Sequence, residues 1–127
     1  MDGHEYIDTA IDLGAIAVVC ERIPEHTRDG INYIQTNDSA FALSAIASNW
    51  YDNPSEKLKV VGVTGTNGKT TVATLLHTLL SELEGEKCGL LSTINVKIGR
   101  EIVPATHTTP DALAIQGHMR TMVDAGV

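Results

Sequence analysis

The stretch that decides the fold is Val63-Thr64-Gly65-Thr66-Asn67-Gly68-Lys69-Thr70-Thr71. An apolar run over residues 58–64 leads into it, and helical apolar spacing follows over residues 70–83. This order predicts a strand, a glycine-rich turn and a helix. A turn of this kind aims backbone N–H groups at one point, where the helix dipole adds partial positive charge. The stretch therefore predicts a phosphate-binding loop.

The residue types in the loop suit ATP and Mg²⁺. Glycine at positions 65 and 68 lets the backbone approach phosphate oxygens that a Cβ would block. Lys69 can reach the β- and γ-phosphates and stabilise charge on the transferring group, and the Thr70 hydroxyl is placed to ligate Mg²⁺. We expect the ATP site to comprise Gly65, Thr66, Asn67, Gly68, Lys69, Thr70 and Thr71.

The loop departs at one position from the general pattern G-x-x-x-x-G-K-[ST]. Val63 stands where the first glycine of that pattern would fall, and the glycine lies at position 65 instead. The alternative interpretation is a glycine-rich turn that carries a lysine by chance. The complete order of strand, loop, lysine, hydroxyl and helix favours a phosphate loop.

The segments around the loop predict an α/β fold. Aromatic residues make up only 4% of the chain, and aliphatic residues supply the apolar mass, which suits helices packed on a mainly parallel sheet. After the loop we expect a strand over residues 87–93, a hairpin of residues 94–98 and 101–103, and a helix over residues 110–125. Before it we expect a helix that Gly14 ends, strands over residues 15–20 and 31–35, and a helix capped by Asn37, Asp38 or Ser39.

A polar stretch divides the chain. Residues 51–57 contain Asn53 and Pro54 and interrupt the apolar pattern, so we interpret them as a linker. We expect residues 1–57 to be a partial N-terminal α/β domain. Residues 58–127 would be the first part of a P-loop ATPase domain with a mainly parallel sheet.

Charge and composition exclude several classes of protein. The formal net charge is −7, and no cluster of Lys and Arg is present, which argues against a nucleic-acid binder. No apolar run approaches the ~20 residues needed to span a bilayer, and no signal peptide is visible. Cys20 and Cys88 lie far apart in apolar runs, as buried reduced thiols do. We therefore expect a cytoplasmic protein without a membrane span.

A second candidate site lies before the last predicted helix. Thr108 and Thr109 carry small hydroxyls that can donate to carboxylate or phosphate oxygens. From the residues alone, capping of the helix is the favoured interpretation of this pair. His107 stands beside the pair, and an exposed loop histidine without a ligand is the favoured interpretation there. Asp111 is expected to act electrostatically on the helix N-terminus.

Several stretches resemble the Mur ligase family, which also includes folylpolyglutamate synthetases. The phosphate loop, residues 63–71, is similar to the ATP loop of that family, and its Lys69-Thr70-Thr71 favours the peptidoglycan branch over the folate branch. The stretches 89–94 and 108–111 resemble segments of the family's ligase for the third residue of the stem peptide. Residues 2–7, with Gly14-Ala15 and Val18-Val19, resemble its first domain, although the D-Ala-D-Ala-adding relative has a similar stretch.

The resemblance implies an ATP-dependent ligase of peptidoglycan precursor synthesis. ATP would phosphorylate the terminal carboxylate of UDP-MurNAc-L-Ala-D-Glu, and the amine of diaminopimelate or lysine would displace phosphate. Thr108, Thr109 and His107 would then contact the UDP-MurNAc-dipeptide, and residues 1–57 would be part of the domain that binds this substrate. The family has three domains and this chain resembles parts of two, so we expect no turnover by the chain alone. The alternatives are a D-Ala-D-Ala-adding or folylpolyglutamate-type ligase, and a nucleotide-binding fragment without catalysis.

Overall fold

A computed structural model describes residues 2–84, 87–104 and 111–127. The chain forms two compact units, Met1–Ala45 and Ile46–Val127. The helices are α1 (Ile7–Asp12), α2 (Ser39–Trp50), α3 (Lys69–Glu84) and α4 (Ala112–Asp124). The strands are β1 (Ala17–Cys20), β2 (Asn32–Gln35), β3 (Gly89–Leu91), β4 (Asn95–Ile98) and β5 (Glu101–Pro104). The predicted α/β class is confirmed.

The first unit is built on a short parallel pair of strands. β1 pairs with β2, with Val18 opposite Tyr33, and Val18 and Cys20 turn their side chains into the interior. Gly14 follows α1 with φ +103°, a conformation that favours glycine, so the predicted end of that helix is confirmed. The Phe41 N–H donates to Asp38 Oδ1 over 2.8 Å, which makes Asp38 the capping side chain at the start of α2.

The second unit contains an antiparallel sheet in the order β3-β4-β5. The predicted hairpin is confirmed, since β4 and β5 pair across Gly99, whose φ is +57°. The mainly parallel sheet expected for this domain differs from the sheet that the described residues form. Its connections, residues 92–94 and 99–100, are far shorter than the dozen or so residues that a parallel crossover requires.

The core of the second unit lies between this sheet and α4. Val96, Ile98 and Met122 are buried together, and partly buried apolar side chains surround them: Leu58, Leu91, Val103 and Val127. A Cβ added at Gly89 would lie 2.5 Å from Met122 Sδ. Glycine at position 89 therefore lets the Met122 side chain lie directly on β3.

The segment over residues 58–64 was predicted as a strand, and this prediction is wrong for the described structure. None of the strands among the described residues pairs with it. Val60 and Val61 are 61% and 64% exposed. A segment becomes a strand only through hydrogen bonds to a neighbouring strand, and an apolar run alone does not supply that neighbour.

The predicted linker, residues 51–57, lies inside the second unit, because the boundary between the two compact units falls within α2. The domain boundary at residues 57 and 58 stays a prediction. Within the part of the chain that the structure describes, no helix has both the length and the apolar character needed to cross a membrane.

His77 on α3 is a partly buried titratable group. Its Nε2 atom is shielded from solvent and has no hydrogen-bond partner among the described residues. Burial lowers the pKa of His77, the positive charge of Lys97 lowers it further, and a hydrogen bond with the Cys88 backbone opposes both effects. The neutral imidazole is therefore the form that the fold favours.

Stability is expected to decrease as the pH falls below about 6.5, because the unfolded chain takes up the His77 proton first. The contribution of the neutral His77 imidazole to stability is complete above the pKa that His77 has in the unfolded chain. It is lost as the pH falls towards the lower pKa that His77 has in the folded chain. Urea denaturation between about pH 7.5 and pH 5 measures it. His77→Gln should flatten this pH dependence, while His26→Gln, at an exposed position, should leave it unchanged. A His77→Gln chain with the wild-type pH dependence would contradict the assignment.

Candidate functional site

The phosphate loop leads directly into α3, which begins at Lys69. Gly65 and Gly68 have φ values of +145° and +78°. The Val72 N–H donates to the Gly68 oxygen over 2.9 Å, so the helical hydrogen bonding starts from the last glycine of the loop. The predicted helix after the loop is confirmed, and the loop stands at its N-terminus as expected.

Backbone conformation, rather than crowding, makes glycine necessary in the loop. A Cβ at position 65 would lie 3.7 Å from the Asn67 oxygen, and a Cβ at position 68 would have no neighbour within 4 Å. Both positive φ values lie in the region that L side chains rarely adopt. These two glycines thus allow the chain to turn and to present its backbone at the start of the helix.

Lys69 folds back onto the loop from which it emerges. Its Nζ donates to the Gly65 oxygen over 2.5 Å and to the Thr66 oxygen over 3.3 Å. The ammonium group thus holds two carbonyl groups of the loop together. An ammonium group has three N–H donors, so these two contacts leave one donor of Lys69 for a further acceptor. Sequence reasoning did not anticipate this contact, because the carbonyl directions depend on the folded loop.

The predicted phosphate loop stands at a helix N-terminus, a position at which an anion can be bound. The first N–H groups of a helix have no acceptor within the helix, and the dipole makes this end partially positive. Gly65, Gly68 and Lys69 are exposed, so an incoming anion can reach them, and Thr70 is half-buried beside them. The residues predicted to bind ATP are therefore brought together at one helix end, and their roles stay predictions.

The second candidate site, Thr108, Thr109 and His107, lies outside the described residues. The roles of these residues stay predictions. The helix that follows is described: the Asp111 carboxylate is its N-cap and accepts a hydrogen bond from the Ala114 N–H over 2.8 Å. Asp111 thus does more than act on the helix dipole, since it satisfies one of the N–H groups at the helix start.

A hollow of about 340 Å³ lies beside the start of α4. Its lining residues are Tyr51, Asp111, Leu113, Ala114, Gly117 and His118. Sequence reasoning missed this feature. The one signal for it was Gly117, a residue that weakens a helix interior unless another group needs the space.

The chain belongs to the Mur ligase family. A family model described as the Mur ligase middle domain matches residues 63–127, the part that begins with the phosphate loop and ends after α4. This match agrees with the resemblance of the loop, and it covers both candidate sites.

Three similar curated proteins bear the name UDP-N-acetylmuramoyl-L-alanyl-D-glutamate–2,6-diaminopimelate ligase. The chain is 51% identical over 126 residues to the ligase of Parabacteroides distasonis, covering 99% of this chain and 26% of the relative. The ligase of Cytophaga hutchinsonii is 55% identical, with coverage of 98% and 26%. The ligase of Listeria innocua is 40% identical, with coverage of 100% and 25%. The chain thus spans about a quarter of the length of these relatives.

Proposed function

We propose that this chain is part of an ATP-dependent ligase that joins 2,6-diaminopimelate to UDP-MurNAc-L-Ala-D-Glu. One observation carries the proposal: relatives that are 40–55% identical over almost the whole chain bear the name of this ligase. The same names favour this function over the D-Ala-D-Ala-adding and folylpolyglutamate-type alternatives. Lysine, the other amino acid considered, does not occur in those names.

The phosphate loop at residues 65–71 would bind the phosphates of ATP and position the group that is transferred. Lys69, which donates to the Gly65 and Thr66 carbonyl oxygens, would also donate to phosphate oxygens. The Thr70 hydroxyl would ligate Mg²⁺, which would supply positive charge beside the phosphates. The proposed P-loop contribution is therefore positioning and charge stabilisation, without a nucleophile from the loop.

The reaction that we propose has two steps. Transfer of the terminal phosphoryl group of ATP to the D-Glu carboxylate forms an acyl phosphate and ADP. Attack by the diaminopimelate amine then forms the amide and releases phosphate. Lys69 would stabilise the charge that spreads over the phosphoryl oxygens in the first step.

The other proposals concern the substrate and the compartment. Thr108, Thr109 and His107 would contact the UDP-MurNAc-dipeptide, and Asp111, two residues after the threonine pair, would keep the helix start ordered. A cytoplasmic location is also proposed. It is supported by Cys20 and Cys88, both of which are free thiols in the structure.

The test of the proposed function is phosphate release by a full-length ligase that contains this chain. We expect release only when ATP, UDP-MurNAc-L-Ala-D-Glu and diaminopimelate are all present. Replacing diaminopimelate with lysine should reduce the rate to background. Equal rates with the two amino acids would contradict the proposed substrate, and release with a folate substrate instead would contradict the proposed ligase.

In the same assay, changing Thr108 and Thr109 together to Ala should raise the KM for the UDP-substrate selectively. The KM for ATP should remain nearly unchanged, because the phosphate loop is built at a different helix start. Asp111→Ala is the matched control, since it removes a helix cap worth about 1 kcal/mol without removing the threonine hydroxyls. An unchanged KM for the UDP-substrate in the threonine variant would contradict a contact between this pair and the substrate.

A further inference from the structure

We propose that Tyr51–Lys57, here called the strap, fixes the position of α4 and is not a flexible linker. The strap connects the end of α2 to the segment that leads into the phosphate loop, and it lies wholly within the second unit. Its centre is a 3₁₀ turn, Pro54–Glu56, that packs against α4. Three independent features carry the proposal: the backbone of the strap, its apolar contacts and its charges.

The backbone of the strap adopts a conformation that needs support. Asp52 and Asn53 have φ values of +62° and +46°, and both therefore lie in the left-handed region without being glycine. Such residues persist where the surrounding structure holds them in place. The support comes from Ser48: the Asn53 N–H donates to the Ser48 oxygen over 2.8 Å, and Ser48 Oγ donates to Asn53 Oδ1 over 3.1 Å. A flexible linker would show no such paired contacts.

The apolar contact of the strap is made by Tyr51 on Gly117. A Cβ at position 117 would lie 3.2 Å from Tyr51 Oη and 3.3 Å from Cζ, which is tighter than an ordinary contact. Glycine within a helix is less favourable than alanine, so the close approach of the ring gives a physical reason for it here. Pro54, at the first position of the 3₁₀ turn, is fully buried. The strap therefore packs on α4 through Tyr51 and the turn that begins at Pro54.

The charges of the strap reach the same helix. Arg120 Nη1 on α4 donates to Asp52 Oδ2 over 3.2 Å, and Lys57 forms an ion pair with the same carboxylate. Arg120 also binds Asp124 through two hydrogen bonds of 2.7 and 3.2 Å, which orient its guanidinium group. The Asp52 and Arg120 side chains are 71% and 34% exposed, so the pair alone would contribute little. It acts together with Tyr51 and Pro54.

Fixing α4 has a consequence for the second candidate site, Thr108, Thr109 and His107. This consequence rests on the proposed function. α4 begins directly after the segment proposed to contact the UDP-substrate. A helix already held by the strap would not need to be ordered by the ligand. Substrate binding would then avoid the entropy cost of ordering the helix.

Amide hydrogen exchange in the 127-residue chain, measured by NMR without any ligand, tests the strap. Asp52→Asn removes the charge but keeps a residue that tolerates left-handed φ, and Tyr51→Ala removes the ring. We expect the Asn53 amide and the amides over residues 117–121 to exchange about two- to fivefold faster in Asp52→Asn, and faster still in Tyr51→Ala. In the wild type, about 1 M salt should reproduce the Asp52→Asn result, because an exposed ion pair is screened.

The matched control is Asp12→Asn, which removes an exposed ion pair with Arg28 in the first unit and leaves the contacts of Tyr51 and Asp52 intact. Exchange of the Asn53 amide should equal the wild type in this control. Unchanged exchange in both strap variants would overturn the proposal, and so would an equal increase in the control. Because Asp52→Asn is nearly isosteric, it provides this result even if Tyr51→Ala unfolds. The exchange measurement uses neither ATP nor the UDP-substrate. Its result therefore tests the strap independently of the proposed function.

Discussion

Replacing Lys69 with Ala should weaken the binding of ATP with Mg²⁺ to this chain by about ten- to a hundredfold. The change removes a charge-assisted hydrogen bond to phosphate, worth about 1.5–3 kcal/mol. Isothermal titration of the wild type and the variant with ATP and Mg²⁺ measures the difference.

Lys59→Ala is the matched control for this titration. It removes the same charge from an exposed position just before the phosphate loop, so it reports the effect of net charge alone. Equal affinities for wild type and Lys69→Ala would count against Lys69 as a ligand. A similar loss of ATP affinity in both variants would assign the effect to the overall electrostatic field of the chain. No binding by the wild type would mean that this chain does not assemble the site.

Met122→Ala should lower the free energy of unfolding by about 2–5 kcal/mol, the usual range for truncating a buried methionine. Met122 is 5% exposed and packs with Val96 and Ile98 in the core of the second unit. Truncation would leave a cavity between α4 and the sheet. Urea denaturation followed by circular dichroism measures the change.

Gly89→Ala should couple to this effect, because the added methyl group would occupy the place of the Met122 side chain. In the wild type we expect a cost of about 1–3 kcal/mol from overpacking. In the Met122→Ala background the same change should cost little. Gly62→Ala is the control, since a Cβ there meets nothing within 4 Å and φ is not positive. Additive costs for Gly89→Ala and Met122→Ala would contradict direct contact between the two positions.

The second unit also shows which features of a helix the spacing of apolar residues predicts and which it does not. The helix predicted over residues 110–125 carries the apolar residues Leu113, Ile115, Met119 and Met122. Met119 and Met122 are indeed buried, at 8% and 5% exposure, whereas Leu113 is 48% exposed. Helical periodicity identifies a face to within about one position, because 3.6 residues complete a turn. Which of the residues on that face become buried depends on the neighbouring element.

The sequence by itself determined the features that depend on residues close to one another along the chain. The phosphate loop and the helix after it follow from Gly65, Gly68 and the apolar spacing of residues 70–83. The β4–β5 hairpin follows from two short apolar runs around Gly99. In each case the backbone preference and the hydrogen bonds arise within a few residues. For the same reason the residues proposed to bind ATP could be named before the fold was known, and their roles stay predictions.

Only the tertiary structure decided the features that join distant segments. Residues 58–64 had the composition of a strand, yet no neighbouring strand among the described residues provides its hydrogen bonds. Residues 51–57 had the composition of a linker, yet Tyr51 reaches Gly117 and Asp52 reaches Arg120, more than sixty residues away. The amino-acid composition of a segment indicates only the structure that the segment favours in isolation. Strand pairing and side-chain packing depend on which segments of the chain come together. Contacts between residues so far apart in sequence form only when the folded chain compensates for the entropy lost in closing the intervening loop.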